Sequence, residues 1–440
     1  MKRLISIFYY LLFILVPLIW LPNTSELFEL PKIIVTYILT TLIVGAWAIR
    51  CILEKRIIFK RTLLDIPLLV FLGFSVLSLV FSIDPRVSWL GYYSRWNGGL
   101  LSLISYSLLY WAFVSNMDSK SALNAIRYTL YAAIAVAVYG TLEHFGFSVS
   151  CLLTTGSFNV SCWVQDVQNR VFATLGQPNW LATYLVALIF IPLASKRLVL
   201  KGVSLLLFAA LLFTKSRSGL LAFGISSAVF WLPQLRKNFK LFLILNSSFL
   251  ILTLLVPNPI RDLVFKTTTT QKVVGPALEV GGTESGSIRK IVWTGVLRIW
   301  QANPKNFLLG TGPETFAQSY YQYRPIEHNQ TSEWELLYNK AHNEFLNYLA
   351  TTGILGLGAY LLLLGTMLKI LISKSEILNK FKFENSKIKN YLGFSASNLE
   401  FALLAGWLTI SVTNFWGFSV VIMQLFLFLF PAIATTLHDE

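Results

Sequence analysis

The chain has 440 residues, of which 55% are hydrophobic and only 13% charged, with a formal net charge of +15. A soluble domain carries roughly 25% charged residues, so this composition excludes an ordinary soluble fold and predicts a polytopic helical membrane protein. The positive charge is not a nucleic-acid footprint, because Lys and Arg sit in short segments between apolar runs, the pattern of cytoplasmic loops facing anionic lipid.

Runs of about 20 apolar residues, the length that crosses the hydrocarbon of a bilayer, recur from end to end. They fall at 4–21, 31–50, 63–82, 99–116, 124–145, 179–194, 199–214, 218–233, 239–256, 345–372, 399–416 and 418–437. The pattern predicts an all-α fold with about twelve transmembrane helices. Leu4–Leu21 has the length of a signal peptide, but Pro22-Asn23-Thr24 is a poor cleavage site and further spans follow, so it is read as the first span. Basic loops at Lys2/Arg3, Arg50 to Arg61, Lys120, Lys196 to Lys201, Arg236 to Lys240 and 373–398 then share one face, the cytoplasmic one, together with both termini. The chain divides into 1–256 with nine spans, a large extracytoplasmic loop at 257–341, and 342–440 with the last three spans.

Three segments stand out on the other face. Asp84–Gly98 is aromatic and contains Arg95, and the polar loop 146–178 contains Cys151, Cys162 and Arg170. An oxidising compartment would allow Cys151 and Cys162 to pair, and two free thiols are the alternative. Cys51 ends a span on the cytoplasmic side and reads as inert. In the long loop, Ile288, Ile291, Val292, Gly295 and Ile299 form one helical stripe and Arg289, Trp293, Val296 and Trp300 a second. This reads as an interfacial helix with Trp at headgroup level. Thr267–Thr270 and Gly281-Gly282 read as flexible loop.

Nucleotide, zinc-protease and hydrolase motifs are absent from the sequence, and Gly310-Thr311-Gly312 is a lone GxG. Asp262, Glu279, Glu284, Glu314, Glu327, Glu333 and Glu335 are scattered and offer no compact ligand set, so no metal or other cofactor is expected. Ionisable groups are scarce inside the spans, which argues against an ion-coupled transporter. Instead, Arg95, Arg170, Arg217, Arg289 and Arg324 all lie on the outward face, more than a positive-inside topology asks for. Arg217, in the turn Thr214–Gly219, suits a diphosphate clamp or an interfacial, snorkelling role. His342 is one of only four histidines. It lies where the loop meets a span, with Asn339 as a candidate N-cap, and a helix N-terminus favours a neutral imidazole able to accept a proton. Gly353, Gly356 and Gly358 read as sites of close helix packing.

Taken in order, Arg170-Val171-Phe172…Gly176-Gln177-Pro178-Asn179, Thr214-Lys215-Ser216-Arg217-Ser218-Gly219, Ser287-Ile288-Arg289…Trp293…Asn303-Pro304…Gly310-Thr311-Gly312…Phe316…Ala341-His342-Asn343…Leu346…Gly353-Ile354-Leu355-Gly356 resemble the O-antigen ligase and polymerase family. The resemblance implies a GT-C-type, inverting, metal-independent glycosyltransferase on the outer side of a bacterial cytoplasmic membrane. Its donor would be a glycan on undecaprenyl diphosphate, and membrane lipid its surroundings. By position, His342 would be the base, Arg217 and Arg289 would hold the diphosphate, and Arg95, Arg170, Arg324 and Asn343 would be further substrate-binding candidates. The acceptor stays open between lipid A core, another repeat unit, a protein and a wall polymer, so ligase, polymerase and protein O-oligosaccharyltransferase share these motifs. The competing class is a non-catalytic binder or translocator of lipid-linked glycans, which needs the arginines but not His342. The triplet Asn329-Gln330-Thr331 reads as chance.

Overall fold

The computed structural model describes residues 1–265, 285–380 and 396–437. The proposed flexible segments Thr267–Thr270 and Gly281-Gly282 and most of the basic loop 373–398 therefore lie outside the described residues. Among the described residues the regular structure is helical throughout. In chain order the α-helices are α1 Lys2–Leu18, α2 Glu29–Leu53, α3 Asp65–Val80, α4 Pro85–Leu90, α5 Leu100–Asn116, α6 Ser119–His144, α7 Val149–Thr155, α8 Pro178–Leu193, α9 Leu198–Phe213, α10 Arg217–Trp231, α11 Leu235–Leu255, α12 Pro259–Phe265, α13 Ser285–Gln301, α14 Pro304–Leu309, α15 Phe316–Tyr323, α16 Glu344–Lys380, α17 Ala396–Thr413 and α18 Val421–Thr436. Each of the twelve apolar runs coincides with one of these helices. Four are long and apolar enough to cross a membrane: α2, α6, Asn238–Leu255 of α11 and Glu344–Ser373 of α16. Six shorter apolar helices accompany them.

The centre of the bundle is set by hydrophobicity that runs round the whole helix, which leaves no polar face for solvent. In α8 every residue from Leu181 to Leu193 is buried, and in α18 every residue from Val421 to Thr436. Around this pair, α1 packs on α2 and α6, α5 on α18, α3 on α16, and α10 and α17 on α8 and on each other. Sparse hydroxyl contacts cross between helices, such as Ser226 Oγ to Thr409 Oγ1 at 2.9 Å and the Tyr9 hydroxyl to the Leu109 carbonyl at 2.6 Å.

Charge enters the bundle near one end. The buried Lys32 amine donates to the carbonyls of Ile19, Phe28 and Thr174 at 3.0, 3.0 and 2.7 Å. Glu29 Oε2 accepts from the Val421 N–H at 2.8 Å, so a carboxylate caps the first turn of α18 across most of the chain length.

The segment read as one span at 345–372 is a broken helix. Gly353 sits at φ +66°, ψ −169°, a region open essentially to glycine alone. The break exposes the Ala350 and Thr351 carbonyls, which accept from the Thr311 and Gly312 N–H groups at 3.2 and 2.8 Å. Gly310-Thr311-Gly312 is thus a backbone seam against α16. A Cβ on Gly353 would lie 2.4 Å from the Leu308 carbonyl carbon, and one on Gly310 2.2 Å from that of Thr351. Of the three glycines expected to permit close packing, only Gly353 does so. Gly356 faces Thr352 of its own helix, and Gly358 has nothing within 4 Å.

One further expectation needs correction, and one gains detail. The indole N–H groups of α13 bond to protein carbonyls. Trp293 Nε1 donates to the Ala341 carbonyl and Trp300 Nε1 to that of Phe307, each at 3.1 Å. Val296, assigned to the second stripe, joins Ile288, Val292 and Ile299 in a small core with Phe316, Tyr320, Tyr338, Ala341 and Ala350. Residues 285–341 are therefore a packed subunit of helices seated on the bundle.

Cys151 and Cys162 are bonded to each other. The bridge closes the loop at α7 that leads on to Arg170 and Gln177. Closing a loop of this size contributes about 3 kcal/mol by restricting the unfolded chain. The Cys151→Ser/Cys162→Ser pair is expected to lower the melting temperature in detergent, read by intrinsic fluorescence, and reductant is expected to do the same to wild type.

Candidate active site

A cavity of about 320 Å³ opens at the end of the bundle where α8, α10, α16 and α18 begin. It takes Arg170 and Gln177 from the 146–178 loop, Asn179, Trp180 and Thr183 from α8, and Ser218 from α10. Ile288 and Arg289 come from α13, Glu333, Tyr338 and His342 from the strap before α16, and Thr413, Asn414, Trp416, Gly417 and Phe418 from the end of α17 and the link to α18. Helix N-termini carry partial positive charge and unpaired N–H groups, and α8 and α10 bring theirs to the lining at Asn179 and Ser218, which favours an anion, while the start of α18 already takes the Glu29 carboxylate. Ser216 caps α10, its Oγ accepting from the Gly219 N–H at 3.2 Å and donating to Asn179 Oδ1 at 2.7 Å, which joins the α9–α10 turn to the start of α8.

His342 is fixed by its backbone. Its φ is +51°, unusual for any residue but glycine. Both sides of the strain are anchored. On one side the Ala341 carbonyl accepts from Trp293, and the Ala341 N–H donates to Asn347 Oδ1 at 3.2 Å. On the other, the Glu344 N–H donates to the Asn414 carbonyl at 2.9 Å, and Asn343 Oδ1 accepts from the Leu346 N–H at 3.0 Å. The cap of α16 is therefore Asn343, not Asn339, because the helix starts at Glu344. The imidazole lies between two rings, Tyr338 at 5.5 Å and Phe418 at 5.7 Å between centroids. Among the described residues no group hydrogen-bonds either of its nitrogens.

Burial first, then the charges of Arg289 and Arg95, push the His342 imidazole down to about 4 from its ordinary 6.5. The neutral state expected for this residue has a different main cause, desolvation. Histidine-selective NMR is expected to find His342 uncharged at every pH above about 5. The same shift bears on stability. The unfolded chain takes up the proton first, so the contribution is whole above 6.5 and is lost as pH falls toward 4. His328, buried and also held below the ordinary value, acts in the same direction.

The arginines divide by position. Arg289 and Arg170 line the cavity with His342. Burial lowers the proton affinity of Arg289, and the nearby Tyr338 and Glu333 oppose that shift. Arg95 lies over the Trp180 and Phe418 rings at 5.3 and 5.6 Å, a cation–π bracket on two lining residues. Arg217 is the first residue of α10, exposed and next to the lining Ser218, and is not itself in the lining. Lys215 in the same turn hydrogen-bonds Asn169 and feels the charge of Arg170, so this turn and the 146–178 loop meet. Arg324 stands outside the cavity lining, its guanidinium donating to the Trp334 carbonyl at 3.0 Å and to Asn329 Oδ1. Asn343 is buried and spends its carbonyl oxygen on the α16 cap. Among the described residues no three His, Cys, Asp or Glu side chains converge to hold a metal ion.

Residues 202–361 match the family profile for O-antigen ligase. That stretch of the chain is similar to the O-antigen ligase family. No curated protein matches the chain. The matched stretch supplies Ser218, Arg289, Glu333, Tyr338 and His342 to the lining, with Arg217 beside it, while Arg170, Trp180 and the α17–α18 link line the cavity from outside that stretch and Arg95 packs on Trp180 and Phe418. Sequence reasoning missed Glu333 and Tyr338 as site residues and missed the 413–418 link altogether. The link was legible only as polar residues, Thr413 and Asn414, at a span end, which any interfacial turn has.

Proposed function

We propose that this chain is a multi-pass protein of a bacterial inner membrane that transfers a glycan from undecaprenyl diphosphate to an acceptor hydroxyl or amine, inverting the anomeric centre and needing no metal ion. The observation that carries this is the His342 imidazole, hydrogen-bonded by nothing among the described residues, facing a cavity that it shares with Arg170, Arg289 and the first turns of α8 and α10. His342 takes the acceptor proton as the acceptor oxygen or nitrogen bonds to the anomeric carbon. The bond from that carbon to the diphosphate oxygen breaks with its electron pair, on the opposite face. Arg289 and Arg170, with Arg217 at the rim, hold the departing charge, the work that a metal does in other transferases. Arg95 braces Trp180 and Phe418 behind them.

The proposed topology has about twelve spans with both termini cytoplasmic, and 146–178 and 257–341 outside with the active site. A GT-C-type arrangement of this kind lets a polyprenyl tail stay in lipid while its diphosphate enters the cavity. The Cys151–Cys162 bond supports that side, since disulfides persist in oxidising compartments. The family match supports the chemistry at the level of ligase- or polymerase-type glycosyltransfer, and lipid A core, repeat unit, protein and wall polymer remain the acceptors to compare.

The test is transfer by the purified chain in nanodiscs, from a short oligosaccharide on undecaprenyl diphosphate, to that panel of acceptors in excess EDTA. Transfer that survives EDTA supports the reading and names the acceptor. Donor binding without transfer to any acceptor would favour a binder or translocator instead.

A further inference from the structure

We infer that Tyr338, locked by Glu333, is a positioning residue for the His342 imidazole. The inference rests on the proposed role of His342 as base. A catalytic base commonly has one ring nitrogen tied to a carboxylate or carbonyl, which fixes both tautomer and orientation. Here no such bond exists among the described residues, and the ring is oriented by packing alone. The Phe418 ring stands at 65° to it and the Tyr338 ring at 69°.

Phe418 is held by the cations around it, Arg95 at 5.6 Å and Lys340 at 5.7 Å. Tyr338 is held by a chain of hydrogen bonds that reaches away from the cavity. Its hydroxyl donates to the Glu333 carboxylate. The Glu333 carbonyl lies 3.3 Å from His328 Nε2, and His328 Nδ1 lies 2.6 Å from the Tyr320 hydroxyl. With Nε2 donating to the carbonyl, Nδ1 is the acceptor for Tyr320, so every member of Tyr320–His328–Glu333–Tyr338 has a partner. The Tyr338 ring also packs edge-on against the His328 ring at 5.1 Å. Tyr338 thus stands between the two histidines, fixed by one and fixing the other. Deleting its hydroxyl would leave the ring in place but free to swing, and His342 with it.

Only four histidines occur in the sequence, so selectively labelled imidazoles give a readable NMR spectrum, and the His342 signal is assigned by its loss in His342→Gln. The experiment compares wild type, Tyr338→Phe, Glu333→Ala and Glu333→Gln in nanodiscs, first without substrate by NMR and then by glycan transfer. Tyr338→Phe and Glu333→Ala are expected to broaden or shift the His342 resonance. Both should lower kcat by about 10- to 100-fold, the cost of a small misplacement of a reacting group, with KM for the donor within about twofold. Glu333→Gln keeps an oxygen for the Tyr338 hydroxyl and is expected to restore the resonance and most of kcat. An unchanged resonance in Tyr338→Phe overturns the inference, whether kcat holds or falls, because a fall would then mean that Tyr338 acts on substrate directly. If wild type transfers no glycan, the transferase reading fails, while the substrate-free resonance still decides whether Tyr338 positions His342.

Discussion

Replacing His342 by alanine is expected to abolish glycan transfer while leaving the donor bound. General-base assistance accounts for about 10²- to 10⁴-fold of rate in enzymes that use it, so kcat should fall by that factor. The Kd for the lipid-linked diphosphate, set by the arginines and helix ends, should move by less than about threefold. The two quantities separate because burial and two arginines disfavour the charged imidazole and nothing among the described residues hydrogen-bonds it, so its removal withdraws little positive charge from an incoming anion. Arg289→Ala should show the reverse pattern in binding, weakening the donor as well as slowing transfer. A His342→Ala protein that folds, binds and still transfers at a rate near wild type would remove the base from the mechanism.

The second large effect concerns folding. Gly353→Val is expected to cost about 3 kcal/mol or more, since strained backbone alone is worth 1–3 kcal/mol and the new Cβ would lie 2.4 Å from a backbone carbonyl carbon of α14. The seam it supports carries Thr311 and Gly312 against Ala350 and Thr351, and Ser78 Oγ donates to the Leu309 and Thr351 carbonyls at 2.7 and 3.1 Å. Losing it should loosen the 285–341 subunit from the bundle and, with it, Arg289. Gly358→Ala is the control. With open space around it in a helix interior, that change should be neutral or stabilise by up to about 1 kcal/mol. Thermal unfolding in detergent with size-exclusion profiles reads both. Similar melting temperatures for the two variants would mean that the break in α16 is dispensable.

Much of the bundle was legible because the hydrophobic effect writes itself in runs of one length. Asp65–Val80 or Val421–Thr436 needs no partner to be recognised as an apolar helix. The candidate base and arginines were legible because histidine and arginine are chemically distinct in a chain with few charges. What stayed hidden was whatever depends on long-range contact. Gly353 reads the same in a continuous span and at a break, and the difference lies in Leu308, many residues away. Trp293 looks like a headgroup anchor until the Ala341 carbonyl is seen in front of it. Glu333 was one of several scattered acids, and only folding brings it to Tyr338 and Arg289. Arg324 was grouped with the other arginines on charge, and the structure turns it toward the loop that carries Asn329.

The guanidinium groups near His342 also make its proton affinity conditional on cargo. Burial and the charges of Arg289 and Arg95 hold the His342 imidazole below its ordinary basicity. On the proposed reading, a diphosphate seated among those arginines would offset their charge, so the imidazole would be a stronger base once the leaving group is in place. Once the diphosphate left, the guanidinium charges would be exposed again and the imidazole would shed the proton it took, which would return the residue to its starting state without a dedicated relay.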